Sequence, residues 1–96
     1  MSYNLVITKK AQHSIEDAVD WYFVRSGYAS AYFIERIDDA FSVIAKTPLQ
    51  FPLVYRTVRQ LVLSPFPYVL LYTFDGTTVK VLKIFHTSQN PKKKFK

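Results

Sequence analysis

Ninety-six residues, no cysteine, 49% apolar and 17% aromatic side chains and a net charge of +6 set the first limits. The length holds one domain, and without cysteine there is no disulfide framework, zinc–thiolate site or thiol nucleophile. The first residues, MSYNLVITKK, lack the apolar core of a signal peptide, and no run reaches membrane-spanning length, so a soluble cytoplasmic protein with no membrane partner is expected.

Charge is unevenly spread. Residues 1–47 carry five basic and six acidic side chains, net −1, whereas residues 48–96 carry eight basic and one acidic, net +7. A basic half interleaved with aromatics points to an anionic partner: RNA, DNA or an acidic protein segment.

Tyr3 to Ile7 alternates and reads as a short strand. Thr8 offers an N-cap oxygen, and Ala11, Ile15, Ala18, Val19 and Tyr22 then form one helical stripe, with Glu16, Asp17 and Asp20 off it. Gly27 suits a left-handed helix end. A second helix is expected over 29–46, with Phe33, Ile37, Ala40, Phe41 and Ile44 as its buried stripe, so the pair forms a helical hairpin. Residues 47–57 hold two prolines and no clear period, and read as a surface loop. Strands are expected over 58–63, 68–74 and 77–86, the first two joined by Ser64-Pro65-Phe66-Pro67. The order β-α-α-β-β-β predicts an α+β domain, a helical hairpin packed on one face of a mainly antiparallel four-stranded sheet.

Asp75-Gly76, between two apolar runs, is a strong hairpin signal. A two-residue turn there pairs Phe74 with Thr77, Tyr72 with Val79, Leu70 with Val81 and Tyr68 with Lys83. One face then carries Tyr68, Leu70, Tyr72, Val79, Val81 and Phe85, and the other Val69, Leu71, Leu82, Ile84 and His86. Both are apolar and the helices cover only one, so the other requires a loop, a second copy or a bound peptide. The sequence leaves open which face meets the helices.

Few residues offer chemistry. His86 ends the last strand, where an imidazole can exchange protons near neutral pH. Arg56 and Arg59 flank the start of the second strand, 58–63, and suit carboxylate or phosphate recognition. Lys92, Lys93 and Lys94, followed by Lys96, can bind a phosphate backbone without reading sequence. There is no glycine-rich phosphate loop, no metal-ligand cluster and no Ser-His-Asp ordering, so neither cofactor nor metal is expected.

The ordered set resembles one family. Ile7-Thr8 and Ala11, Asp20-Trp21-Tyr22, Thr47-Pro48, Val58-Arg59-Gln60-Leu61, Phe66-Pro67-Tyr68-Val69-Leu70-Leu71-Tyr72, Val81-Leu82-Lys83-Ile84-Phe85-His86 and Asn90-Pro91 resemble a RelE/ParE-superfamily toxin, of the kind labelled plasmid stabilisation system proteins. The resemblance covers essentially the whole chain. It implies the toxin of a type II toxin–antitoxin module, paired with a cognate antitoxin that wraps the sheet, as a toxin–antitoxin heterotetramer or beside a homodimer. Tyr68, Leu70, Tyr72, Val79, Val81 and Phe85 are the expected antitoxin-binding face. RelE-like members cleave messenger RNA on the ribosome, with an arginine after the third-strand tyrosine and basic residues on the sheet. Here Val69 follows Tyr68, and Gln60 and Val62 stand where lysines are expected, leaving His86, Arg59 and Lys83, with Phe95, as substitutes for a ribonuclease. ParE-like members poison DNA gyrase without a hydrolytic site of their own, and the pattern leans to that branch, with the ribosome-dependent ribonuclease and a degenerate, non-toxic binding module as the alternatives.

Overall fold

The computed structural model describes residues 2–88. The elements run β1 (Asn4–Ile7), α1 (Lys9–Arg25), α2 (Gly27–Lys46), β2 (Leu53–Tyr55), β3 (Val58–Val62), β4 (Tyr68–Phe74) and β5 (Thr78–His86). The sheet is ordered β1-β5-β4-β3-β2, with β1 parallel to β5 and the other pairs antiparallel. The α+β class and the helical hairpin are as expected, but the sheet has five strands rather than four. The added strand, β2, lies inside the stretch read as a loop. It is only three residues long and wholly exposed, so no burial pattern marks it.

Thr8 caps α1, its hydroxyl accepting the Ala11 N–H at 3.0 Å. Ser26 alone ends α1 and starts α2: its N–H donates to the Tyr22 carbonyl and its hydroxyl accepts the Ala29 N–H. Because Ser26 is extended, the joint needs no left-handed residue, and Gly27 is the first residue of α2 rather than the end of α1. Ala11 and Ala18 are the buried residues of α1, small enough for close approach, while Phe33, Ile37, Ala40 and Ile44 carry the bulk of α2 into the core.

The β4–β5 register departs from expectation in two steps. Phe74 pairs with Val79 and the Asp75 N–H donates to the Thr78 carbonyl, so the turn pivots on Gly76 and Thr77, one residue late. Gly76 takes the positive φ, 100°. The Asp75 carboxylate instead accepts the Thr77 and Thr78 N–H groups and the Thr77 hydroxyl, at 2.8 to 3.0 Å. A slip of that kind keeps each side chain on its face. Further along, a bulge opposite Leu71/Tyr72 advances the register by one more: Tyr72 pairs with Val81, but Leu71 pairs with Lys83 and Leu70 with Ile84. That step moves Ile84 under the helices and Phe85 to the opposite face.

The bulge is held from outside the hairpin. β1 stops at Ile7, leaving the backbone of β5 without a strand neighbour beyond Val81. The Thr8 hydroxyl meets the carbonyls of Val81 and Leu82, both at 3.0 Å, and the Ser14 hydroxyl accepts the Ile84 N–H at 3.1 Å. The first turns of α1 thus satisfy polar groups that a longer β1 would otherwise pair.

The main core joins Leu61, Leu63, Leu70, Tyr72, Val79, Val81 and Ile84 to the two helices. A smaller cluster, Val69, Leu71 and Phe85 with Val58 against it, lies on the other face.

Candidate functional site

Five of the six residues expected to face an antitoxin do share one face, but it is the face that meets the helices. Leu70, Tyr72, Val79 and Val81 are fully inaccessible, packed against the helical hairpin. Phe85 lies on the opposite face because of the bulge. Only Tyr68 reaches a concave surface, at the end of the sheet where β4 begins and β5 closes.

There Tyr68 pairs with His86, the rings meeting edge-on with centroids 4.9 Å apart. α1 crosses above them and contributes Ser14, Asp17, Ala18 and Trp21 to a cleft of about 250 Å³. An adjoining hollow of about 170 Å³ is lined by Trp21, Tyr22, Pro67, Tyr68 and His86. His86 Nδ1 accepts the Ser88 N–H at 3.1 Å, and Ser88 Oγ lies 2.6 Å away. A ring nitrogen that accepts an N–H carries no proton of its own, so the neutral imidazole holds its proton on Nε2. Burial, then the neighbouring Tyr22 and Asp17 charges, push the Tyr68 phenol above its ordinary value, so it remains a neutral hydroxyl. The cleft can hold an apolar or aromatic group between Trp21 and Tyr68, with Asp17 as acceptor.

The cations expected beside His86 are elsewhere. Arg59 lies on the helix-facing side of β3, opposite Tyr72, and its Nη1 donates to the carbonyls of Phe51 (2.7 Å) and Leu49 (3.4 Å). It ties down the segment after α2, beside the Tyr72 hydroxyl that donates to the Pro48 carbonyl at 2.6 Å. Lys83 pairs with Leu71 on the other face, 5.5 Å from the Phe85 ring, where burial and the charge of Lys10 lower its pKa. The structure therefore does not bring His86, Arg59 and Lys83 together. Arg56 is exposed at the tip of the β2–β3 hairpin, at φ 49°, with its guanidinium 5.3 Å from the Tyr55 ring. Lys92, Lys93, Lys94 and Phe95 lie outside the described residues. Among the described residues no group of three or more His, Cys, Asp or Glu is placed to hold a metal ion, and no helix is long and apolar enough to cross a membrane.

The family model for the ParE toxin of type II toxin–antitoxin systems, parDE, matches residues 5–91. The chain belongs to the ParE toxin family. Its fold is similar to that of a chain from the chromosomal ParDE toxin–antitoxin system of P. aeruginosa, with a TM-score of 0.78 at 21% identity over 91% of this chain and 98% of that one. It is also similar to a chain of the RelBE2 toxin–antitoxin complex from Mycobacterium tuberculosis, with a TM-score of 0.61 at 22% identity over 93% and 95%. No curated protein matches the sequence.

Two further features of this ParE chain escaped sequence reasoning. The first is an apolar groove between α1 and α2, lined by Ile7, Ile15, Ile34, Ile37 and Phe41 and flanked by Gln12, Glu16 and Asp38. The second is the set of aromatic side chains around Trp21. Their signal is in the composition: residues 21–34 contain a single charge, Arg25, at the exposed turn of a helical hairpin.

Proposed function

We propose that this ParE-family toxin acts by binding a protein target, DNA gyrase, in the cytoplasm, and not by cutting messenger RNA. The observation that carries the reading is the dispersal of the cations: Arg59 is engaged with backbone carbonyls and Lys83 lies across the sheet from His86. Phosphodiester cleavage needs charge stabilisation beside its acid–base group, and the His86 cleft has an aspartate there instead. Binding requires no such assembly.

A cognate antitoxin is the second partner. The groove between the helices supports that assignment, because Ile34 is 44% exposed at its wall and Glu16 and Asp38 flank an apolar floor. It suits an amphipathic segment with apolar anchors and basic flanks.

The decisive experiment measures supercoiling by purified gyrase with increasing toxin, beside a ribosome-dependent messenger-cleavage assay. Inhibition of supercoiling, relieved by the product of the neighbouring gene, is expected. Codon-positioned cleavage that His86→Ala abolishes, with gyrase unaffected, would overturn the reading.

A further inference from the structure

The end of the molecule beside the His86 cleft exposes a set of large apolar side chains. Trp21 is 50% exposed, Phe23 67%, Val24 81%, Tyr28 85% and Tyr32 41%. Part of the set is physically continuous. Trp21 packs on Tyr22 (5.0 Å between centroids), Tyr22 on Phe66 (5.1 Å), and Phe66 on Tyr32 (5.3 Å). The Ser64–Pro67 connector thus bridges the two helices and makes one aromatic surface from residues distant in sequence.

Arg25 completes it. Its guanidinium lies 3.6 Å from the Trp21 ring centroid, and its Nη1 donates to the Trp21 carbonyl at 2.9 Å. Among the described residues it has no carboxylate partner, so most of its donors remain for another molecule. A stacked arginine is already ordered, which reduces the entropy lost when it pairs. Trp, Tyr and Arg are also the residues that dominate binding energy at protein interfaces.

We propose that the surface built from Trp21, Arg25, Tyr32 and Phe66 is where the toxin engages its protein target, receiving a segment that offers an apolar side chain and a carboxylate. The apolar group enters the hollow beside Trp21 and Tyr68, and the carboxylate pairs with Arg25. Charge decides the class of partner. Asp17 lines the cleft, so the patch sets a carboxylate one helical turn from the Trp21 ring on which Arg25 stacks. A uniformly anionic surface, whether nucleic acid or lipid headgroups, is repelled by that arrangement, whereas a protein can match both signs.

This inference rests on the gyrase reading, and the test separates the two. Supercoiling inhibition is titrated with wild type, R25E, W21A and the charge-matched control K46E, at the far end of α2. R25E and W21A are expected to raise the half-inhibitory concentration at least about tenfold. K46E is expected to change it by less than about twofold, since it makes the same charge reversal at an exposed site away from the patch. R25E puts a negative charge at the C-terminal turn of α1, so it should lower the melting temperature only modestly and keep its affinity for the antitoxin. Equal inhibition by wild type and R25E overturns the inference alone, as does an equal loss in K46E, or a loss of antitoxin binding by R25E. Self-association or binding to anionic phospholipid vesicles that R25E abolishes would reassign the surface and overturn it too. A wild type without effect on gyrase overturns the underlying reading and this inference with it.

Discussion

Arg59 is a cation whose position in sequence suggests a partner outside the chain, yet its guanidinium is spent on the carbonyls of Phe51 and Leu49. Bonds of this charge-assisted kind contribute about 1.5–3 kcal/mol, and removing the donor leaves the part-buried Phe51 carbonyl unmet. Arg59→Ala should therefore lower stability by about 2 kcal/mol in urea unfolding, with toxicity falling only as far as the folded fraction does. An unchanged midpoint with lost activity would return Arg59 to the functional surface. Asp75 shows the opposite case, an exposed carboxylate doing local work. Hydrogen bonds from the Thr77 and Thr78 backbone, and then the Thr77 hydroxyl, hold its pKa below the ordinary aspartate value. The native value being the lower one, its contribution is present above the unfolded-state pKa and disappears as pH falls through the native one. The window is thus below about pH 4. Thermal unfolding followed from pH 6 downward should show a wild-type loss in that window that Asp75→Asn does not share.

At the scale of elements, the β4–β5 bulge controls which residues face where. The polar groups it leaves on β5 are met by Thr8 and Ser14, residues 70 or more positions away along the chain. Ser14→Ala removes the acceptor of the part-buried Ile84 N–H and should cost about 1–3 kcal/mol. Amide exchange should localise the effect: Ile84 loses protection well before Tyr72 or Val79. Equal exchange across β5 would mean the bulge is set by the hairpin itself. The hairpin turn alone does not dictate the final register. Asp75-Gly76 identified a hairpin correctly, but the Asp75 side chain takes the Thr77 and Thr78 N–H groups and displaces the pivot by one residue. β2 was invisible for a related reason: three exposed residues next to proline carry no alternation, and only pairing with β3 makes them a strand.

For the whole molecule, the α+β class, both helices and the three long strands were legible in the chain, because each is written in local patterns: stripes at helical spacing, alternating apolar runs, a capping threonine and a glycine turn. Uneven charge and an aromatic stretch with one arginine were there as well. His86 was correctly placed at a strand end, though its companions were not. Sequence order puts Arg59, Lys83 and His86 within one basic, strand-rich half, but faces and backbone bonds separate them. Trp21 and Phe66 lie in different elements, yet Tyr22 joins them into one surface. The sequence by itself determined what kind of domain this is, since propensity and hydrophobic period act over a few residues. Only the tertiary structure decided which apolar face is core, which cations are occupied and which aromatics remain for a partner. Those outcomes depend on where buried backbone donors and acceptors find each other, across separations that no local pattern records.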